Sequence, residues 1–269
     1  MSFKTILVHL DAGRSRRRRL DLAFTLAEKY DAHLIGFFGM ADLVVPPAAE
    51  ASAALIEVMM NQRRAAAEQA AAEFADKMRK EQYSAKSEWH ATINDGFYEL
   101  RRRSLYADLV IAGQPDPDGD GEPPWFAHDL VMSIGRPVLY LPYAGRFEDC
   151  GKRVLVAWNA SREAARAVKD AVPFLQRSAA TEVVTFGDES KLDPDIAAYL
   201  ARHDARVSVA VQPLAGISAG AALLSRAADN GADLIVMGAD SHSRLRELVL
   251  GGVTRELFKS MTVPTLMAR

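Results

Sequence analysis

The chain is written twice, and this restricts its fold more than any other feature. Residues 4–12 (KTILVHLDA) return as 152–160 (KRVLVAWNA), 148 positions later. Residues 107–113 (ADLVIAG) return as 232–238 (ADLIVMG) at an offset of 125, and 136–140 (RPVLY) as 263–267 (VPTLM) at 127. One match has the weight of any two buried strands, but three matches in one order mean duplication. Only the middle spacing differs, so the first half carries an insertion of about twenty residues.

Each half alternates two hydrophobic patterns. Runs at 6–10, 34–38, 109–112 and 138–141 are almost wholly apolar, His9 excepted, and the second half repeats the scheme at 154–158, 182–186, 207–211, 234–237 and 265–267. Continuous apolarity over four to eight residues fits strands buried on both faces of a parallel sheet. Between them Leu20, Phe24 and Ala27 share one helical face, as do Val168, Ala171, Val172 and Leu175. Strands alternating with helices define βαβ units with right-handed crossovers. The insertion, residues 50–81, is rich in alanine and free of Gly and Pro, which predicts one long helix packed on its own sheet. Residues 142–151, with a Pro, two Gly and a charge cluster, read as the linker.

Charge and composition narrow the function. With 33 Lys+Arg against 35 Asp+Glu the net charge is −2, which argues against bulk electrostatic binding of nucleic acid or anionic lipid. The basic run Arg14, Arg16, Arg17, Arg18 and Arg19 reads as a solvated helix face balanced by Asp21 and Glu28. One cysteine, Cys150, excludes an internal disulfide and any thiolate zinc site, and none of the six histidines stands at metal-ligand spacing. No apolar run approaches the roughly 18 residues of a membrane span, and the first residues do not resemble a signal peptide, so the expectation is a cytoplasmic protein.

The chemistry gathers behind the strand at 234–237. Gly238 ends it, where open α/β sheets bind ligands. Gly251 and Gly252 then open a helix over 253–260, where backbone N–H groups and the helix dipole favour an anion, and Thr254 offers a hydroxyl.

On these residues the chain resembles the universal stress protein family in its tandem form. The resemblance implies two Rossmann-like α/β domains, residues 1–143 and 151–269, each a doubly wound, mostly parallel five-stranded sheet. Members that bind ATP carry Gly, two residues, Gly, nine residues, then Gly and Ser or Thr. Here Gly238, Ser241, Gly251 and Gly252 keep the spacing with two identities changed. Ser241 costs about 1 kcal/mol where the backbone needs φ > 0. Gly252 forgoes a hydroxyl contact of about 0.5–1.5 kcal/mol. Together they weaken affinity by one or two decades. The family's ribose-binding Asp is Asn159 here, which reads equally as a cap of the helix that starts there, and Ser161 reads chiefly as such a cap. The implied ligand is ATP or another adenine nucleotide, with or without magnesium. It would be held by Ala157, Asn159, Met237, Gly238, Ala239, Ser241, Gly251, Gly252, Val253 and Thr254. Trp158 reads first as a core residue and second as a wall for the adenine, and His242 lies within the same segment.

The first half is expected to be empty. It keeps Asp11 and Gly113, but Phe126 replaces the later Gly, and Asp116, Asp118, Asp120 and Glu122 would repel a triphosphate from what reads as a solvated loop. Those alternating acids evoke a calcium loop, but Pro117 and the lack of a bidentate Glu at its end argue against it. No G-x-S-x-G elbow or other hydrolase signature occurs, so no catalytic residue is assigned and a weak ATPase ranks last. The reading is a stress-response binding module with unidentified protein partners. The alternative is a nucleotide-independent scaffold working through its long helix. The resemblance further implies pairing of strands 137–141 and 264–267 within the molecule as a pseudo-dimer, and homodimerisation.

Overall fold

A computed structural model describes residues 2–41, 53–119, 121–214, 216–239 and 252–269. Its contacts divide the chain into two compact units, Phe3–Ile134 and Gly135–Arg269.

The first unit runs β1 (Thr5–Leu10), α1 (Arg16–Tyr30), β2 (His33–Phe38), α2 (Ala53–Lys80), β3 (Ser87–Ala91), α3 (Gly96–Ser104), β4 (Leu109–Gly113) and α4 (Pro124–Ser133). Its strands lie in the order β3-β2-β1-β4, all parallel. The central strands are buried along their length, which is why they read as unbroken apolar runs. β3 was not among those runs. It is an edge strand of alternating, partly exposed residues (SEWHA), too polar to stand out. The long helix falls where expected. Phe74 and Met78 are buried and Phe74 packs against Trp89 with ring centroids 5.3 Å apart, so α2 packs on β2 and β3 of its own sheet.

The second unit runs β5 (Val138–Leu141), β6 (Arg153–Ala157), α5 (Arg162–Leu175), β7 (Ala180–Phe186), α6 (Pro194–Ala201), β8 (Val207–Gln212), α7 (Ala219–Asp229), β9 (Leu234–Gly238), α8 (Gly252–Ser260) and β10 (Thr265–Ala268). The order is β5-β10-β9-β6-β7-β8, parallel except that β5 runs against β10, with Leu139 opposite Leu266. β5 precedes the linker, yet it belongs to this unit through that pairing. Each half of the sequence thus carries the five strands expected of it, β1–β5 before the linker and β6–β10 after it, although β5 groups with the second unit. Cys150 is fully buried.

Helix α5 begins as its sequence prescribes. Ser161 has extended backbone and its Oγ accepts the Ala164 N–H at 3.1 Å. Ser161→Ala is expected to cost about 1 kcal/mol in urea unfolding, with no change in the denaturant slope.

Candidate functional site

At the carboxyl ends of β6 and β9 the second unit opens a cavity of about 830 Å³. Gly238 ends β9 against the first turn of α5. A Cβ there would lie 2.5 Å from the Ala164 nitrogen and 2.6 Å from the Glu163 carbonyl carbon, so only glycine fits. On the other side the chain leaves β6 through a tight turn. Ala160 is left-handed (φ 55°), and Asn159 Oδ1 accepts the Ser161 N–H at 3.2 Å. Asn159 is therefore a turn residue, exposed and facing the cavity, and the helix cap is Ser161 alone.

Of the residues the sequence singles out, Ala157, Asn159, Met237, Gly238, Gly252, Val253 and Thr254 line this cavity. Ala239 does not. It is buried and its N–H donates to the Ala268 carbonyl at 2.8 Å, so it serves the β9–β10 ladder beneath the site. Ser241, His242 and Gly251 lie outside the described residues.

Motif reasoning missed most of the wall. Phe186, Leu192, Leu214 and Leu223 make it largely apolar. Trp158 lines it too, fixed by its indole N–H donating to Asp193 Oδ2 at 2.9 Å, while Asp193 Oδ1 accepts the Asp195 N–H and caps α6. Thr185, 7% exposed, lines the cavity with an Oγ1 that has no hydrogen-bond partner among the described residues. A buried hydroxyl without a partner costs about 1–3 kcal/mol, which a polar ligand atom would recover. Apolar walls with a few convergent polar groups, at strand ends beside a helix start, suit a heteroaromatic ligand carrying an anionic group.

The corresponding place in the first unit is filled by the protein itself. A Cβ on Gly113 would lie 2.0 Å from Arg19 Nη1, so a guanidinium from α1 packs directly against the end of β4, where Gly238 of the second unit meets only the backbone and Glu163 side chain at the start of α5. Arg19 is fully buried. Its Nη2 donates to Asp11 Oδ1 at 2.5 Å, Nη1 to Ser15 Oγ at 3.0 Å and Nε to the His9 carbonyl at 3.1 Å. Asp11 Oδ1 also accepts the Gly13 N–H at 2.8 Å. Burial pushes the Asp11 carboxyl up, but the Arg19 charge and these hydrogen bonds hold it below the usual carboxylate range. This acid is spent on the fold and cannot serve a ribose.

The same region corrects two further expectations. The arginine run is solvated only in part, at Arg14 and Arg17. Arg16 and Arg19 are buried, and Arg16 and Arg17 both donate to Glu73 of α2. Asp21 pairs with Lys77 at 3.1 Å. Nor is the 113–122 segment wholly solvated. Asp116 accepts from Arg14, whereas Glu122 is buried, with Oε2 accepting the Ala41 N–H at 3.0 Å and Oε1 3.6 Å from His9 Nε2. His9 Nε2–H donates to the Gly39 carbonyl at 2.7 Å, and Phe126 stacks on its ring at 5.0 Å. Burial drives Glu122 up to about 8 and His9 down to about 4, so both are neutral near pH 7.

Among the described residues no group of three His, Cys, Asp or Glu side chains could hold a metal ion, and no helix is long and apolar enough to cross a membrane.

Fold and site together define a two-domain α/β protein with one open and one self-filled strand-end crevice. Comparison with known proteins makes this specific. The universal stress protein family model matches residues 151–269. Universal stress protein Slr1230 of Synechocystis sp. is 30% identical over 146 residues, 52% of this chain and 49% of that protein, so the chain spans about half the length of this curated relative. A universal stress protein from Archaeoglobus fulgidus DSM 4304 superposes with a TM-score of 0.72 over 98% of both chains at 16% identity. A functionally unknown protein from Pseudomonas aeruginosa PAO1 gives 0.56 over 99% of this chain and 92% of its own, also at 16%. At such identities the likeness is one of fold. Residues 151–269 thus match the universal stress protein family, and the chain as a whole shares the fold of its solved structures.

Proposed function

We propose that this protein binds one adenine nucleotide per chain, ATP foremost, in its C-terminal unit. The ligand acts as a regulatory signal that biases the choice of protein partner during a cytoplasmic stress response. The observation that carries this is the cavity at the ends of β6 and β9, one wall of which is the start of α8 at Gly252, Val253 and Thr254. A helix start presents N–H groups and a partial positive charge to a phosphate without any lysine. The apolar wall beside Trp158 and Phe186 takes the base. Asn159 reaches the ribose hydroxyls as an uncharged partner. Magnesium, where it takes part, arrives with the phosphates. The Arg19–Asp11 plug supports a stoichiometry of one.

Isothermal titration of the full chain with ATP, ADP and AMP tests this. A single site per chain is expected, and no heat up to millimolar nucleotide would remove the proposal. Gly252→Asp gives a sharper version. A Cβ at Gly252 meets nothing within 4 Å, so the fold accommodates it. A carboxylate in the first turn of α8 favours the helix but repels a phosphate at the same place. Affinity is expected to fall about tenfold while the melting temperature stays or rises. A parallel loss of both would mean that the site was merely disrupted.

A further inference from the structure

We propose that Arg255 makes the C-terminal cavity selective for ligands carrying two or more phosphate groups. This rests on the nucleotide reading above and narrows its ligand to di- and triphosphates. Arg255 lines the cavity from the first turn of α8, is exposed, and has no carboxylate partner among the described residues. A cation at the positive pole of a helix opposes the macrodipole, so helix stability does not account for it there.

The nearby acids among the described residues make their hydrogen bonds elsewhere. Glu256, the next residue, accepts from Ser218 Oγ at 2.5 Å and packs over Gly220. Asp193 is the acid among the described lining residues, and both its oxygens accept hydrogen bonds, from Trp158 and from the Asp195 backbone. Arg255 therefore stands next to the amide end of α8 with no carboxylate in contact with it among the described residues. A second polar feature of the same cavity, the unpartnered hydroxyl of Thr185, 7% exposed, also marks it as built for a ligand with hydrogen-bonding atoms. The α8 amides suffice for one anionic group. A guanidinium beside them adds attraction for further phosphate charge, which it binds in bidentate fashion, and adds nothing for an uncharged nucleoside.

Titration of the full chain and of Arg255→Ala and Arg255→Lys with ATP, ADP, AMP and adenosine tests this. The parent is expected to bind ATP and ADP more tightly than AMP. Arg255→Ala should weaken ATP about tenfold, as for loss of one charge-assisted hydrogen bond, and leave AMP and adenosine within twofold. Arg255→Lys should restore most of the difference, and the gap should shrink at high salt. An Arg255→Ala variant that binds all four ligands as the parent does, or weakens all four alike, overturns the selectivity while leaving nucleotide binding intact. A parent that binds none of the four overturns both.

Discussion

Arg19→Met is expected to destabilise the N-terminal unit by about 3–5 kcal/mol, the usual cost of removing one partner from a buried ion pair. The reason is what remains. Asp11 stays buried at 4% exposure with a carboxylate that has lost its countercharge and its shortest hydrogen bond, and the His9 carbonyl and Ser15 hydroxyl lose their donor. The carboxyl must then ionise without compensation or bind a proton, and either route favours the unfolded chain. The double variant Arg19→Met with Asp11→Leu removes both charges and should recover most of the loss, since an apolar pair of similar size often matches a buried ion pair. Urea unfolding followed by tryptophan fluorescence reads this, because Trp89 and Trp125 lie in this unit. Equal stability of the single and double variants would show that Asp11 does not depend on Arg19. Nucleotide titration of the double variant should still show one site, because filling rather than charge closes this crevice.

A second large effect is expected from pH. In the folded protein Glu122 titrates near 8, above its unfolded value of about 4.3. Between those values the folded state holds a proton that the unfolded state has lost, so stability declines as pH rises and levels off beyond 8. His9 acts with the opposite sign. Its folded value near 4 lies below an unfolded value of about 6.5, so stability is lost as pH falls through that window. The two slopes cancel between roughly pH 4.5 and 6.5, and only the Glu122 decline remains from there to pH 8. At about 1.4 kcal/mol per pH unit this is on the order of 2 kcal/mol. Glu122→Gln keeps an acceptor for the Ala41 N–H and cannot ionise, so its stability should stay flat from pH 6.5 to 9. A parent profile already flat over that range would show that Glu122 is charged in the fold.

What was legible in the sequence was what repetition and burial imprint on it. The doubled strands at 4–12 and 152–160, the cap at Ser161 and the long helix over 53–80 all follow from local pattern, and the structure has them where the pattern puts them. The cavity-lining residues Gly238 and Gly252 were legible because a family spacing marks them. The rest of the wall was not, since Thr185 and Phe186 end β7, Leu192 and Asp193 precede α6, Leu223 stands on α7, and no local spacing links them. Arg16 and Arg19 were misread for the same kind of reason. A basic run looks solvated unless its partners, Glu73 and Asp11, are known to fold onto it. Glu122 sat among exposed acids in sequence, yet its burial depends on His9 and Ala41 from the distant β1 and β2 ends.

The strand β5 has a consequence for how this gene can be divided. Its four residues are encoded ahead of the linker but flank the last strand of the C-terminal fold. A truncation starting at residue 151 would leave β10 with bare amides and carbonyls along one side, an invitation to self-association. One starting at 135 would keep β10 covered by β5. The duplicated halves are thus no longer interchangeable cassettes: the later copy has come to need the tail of the earlier one.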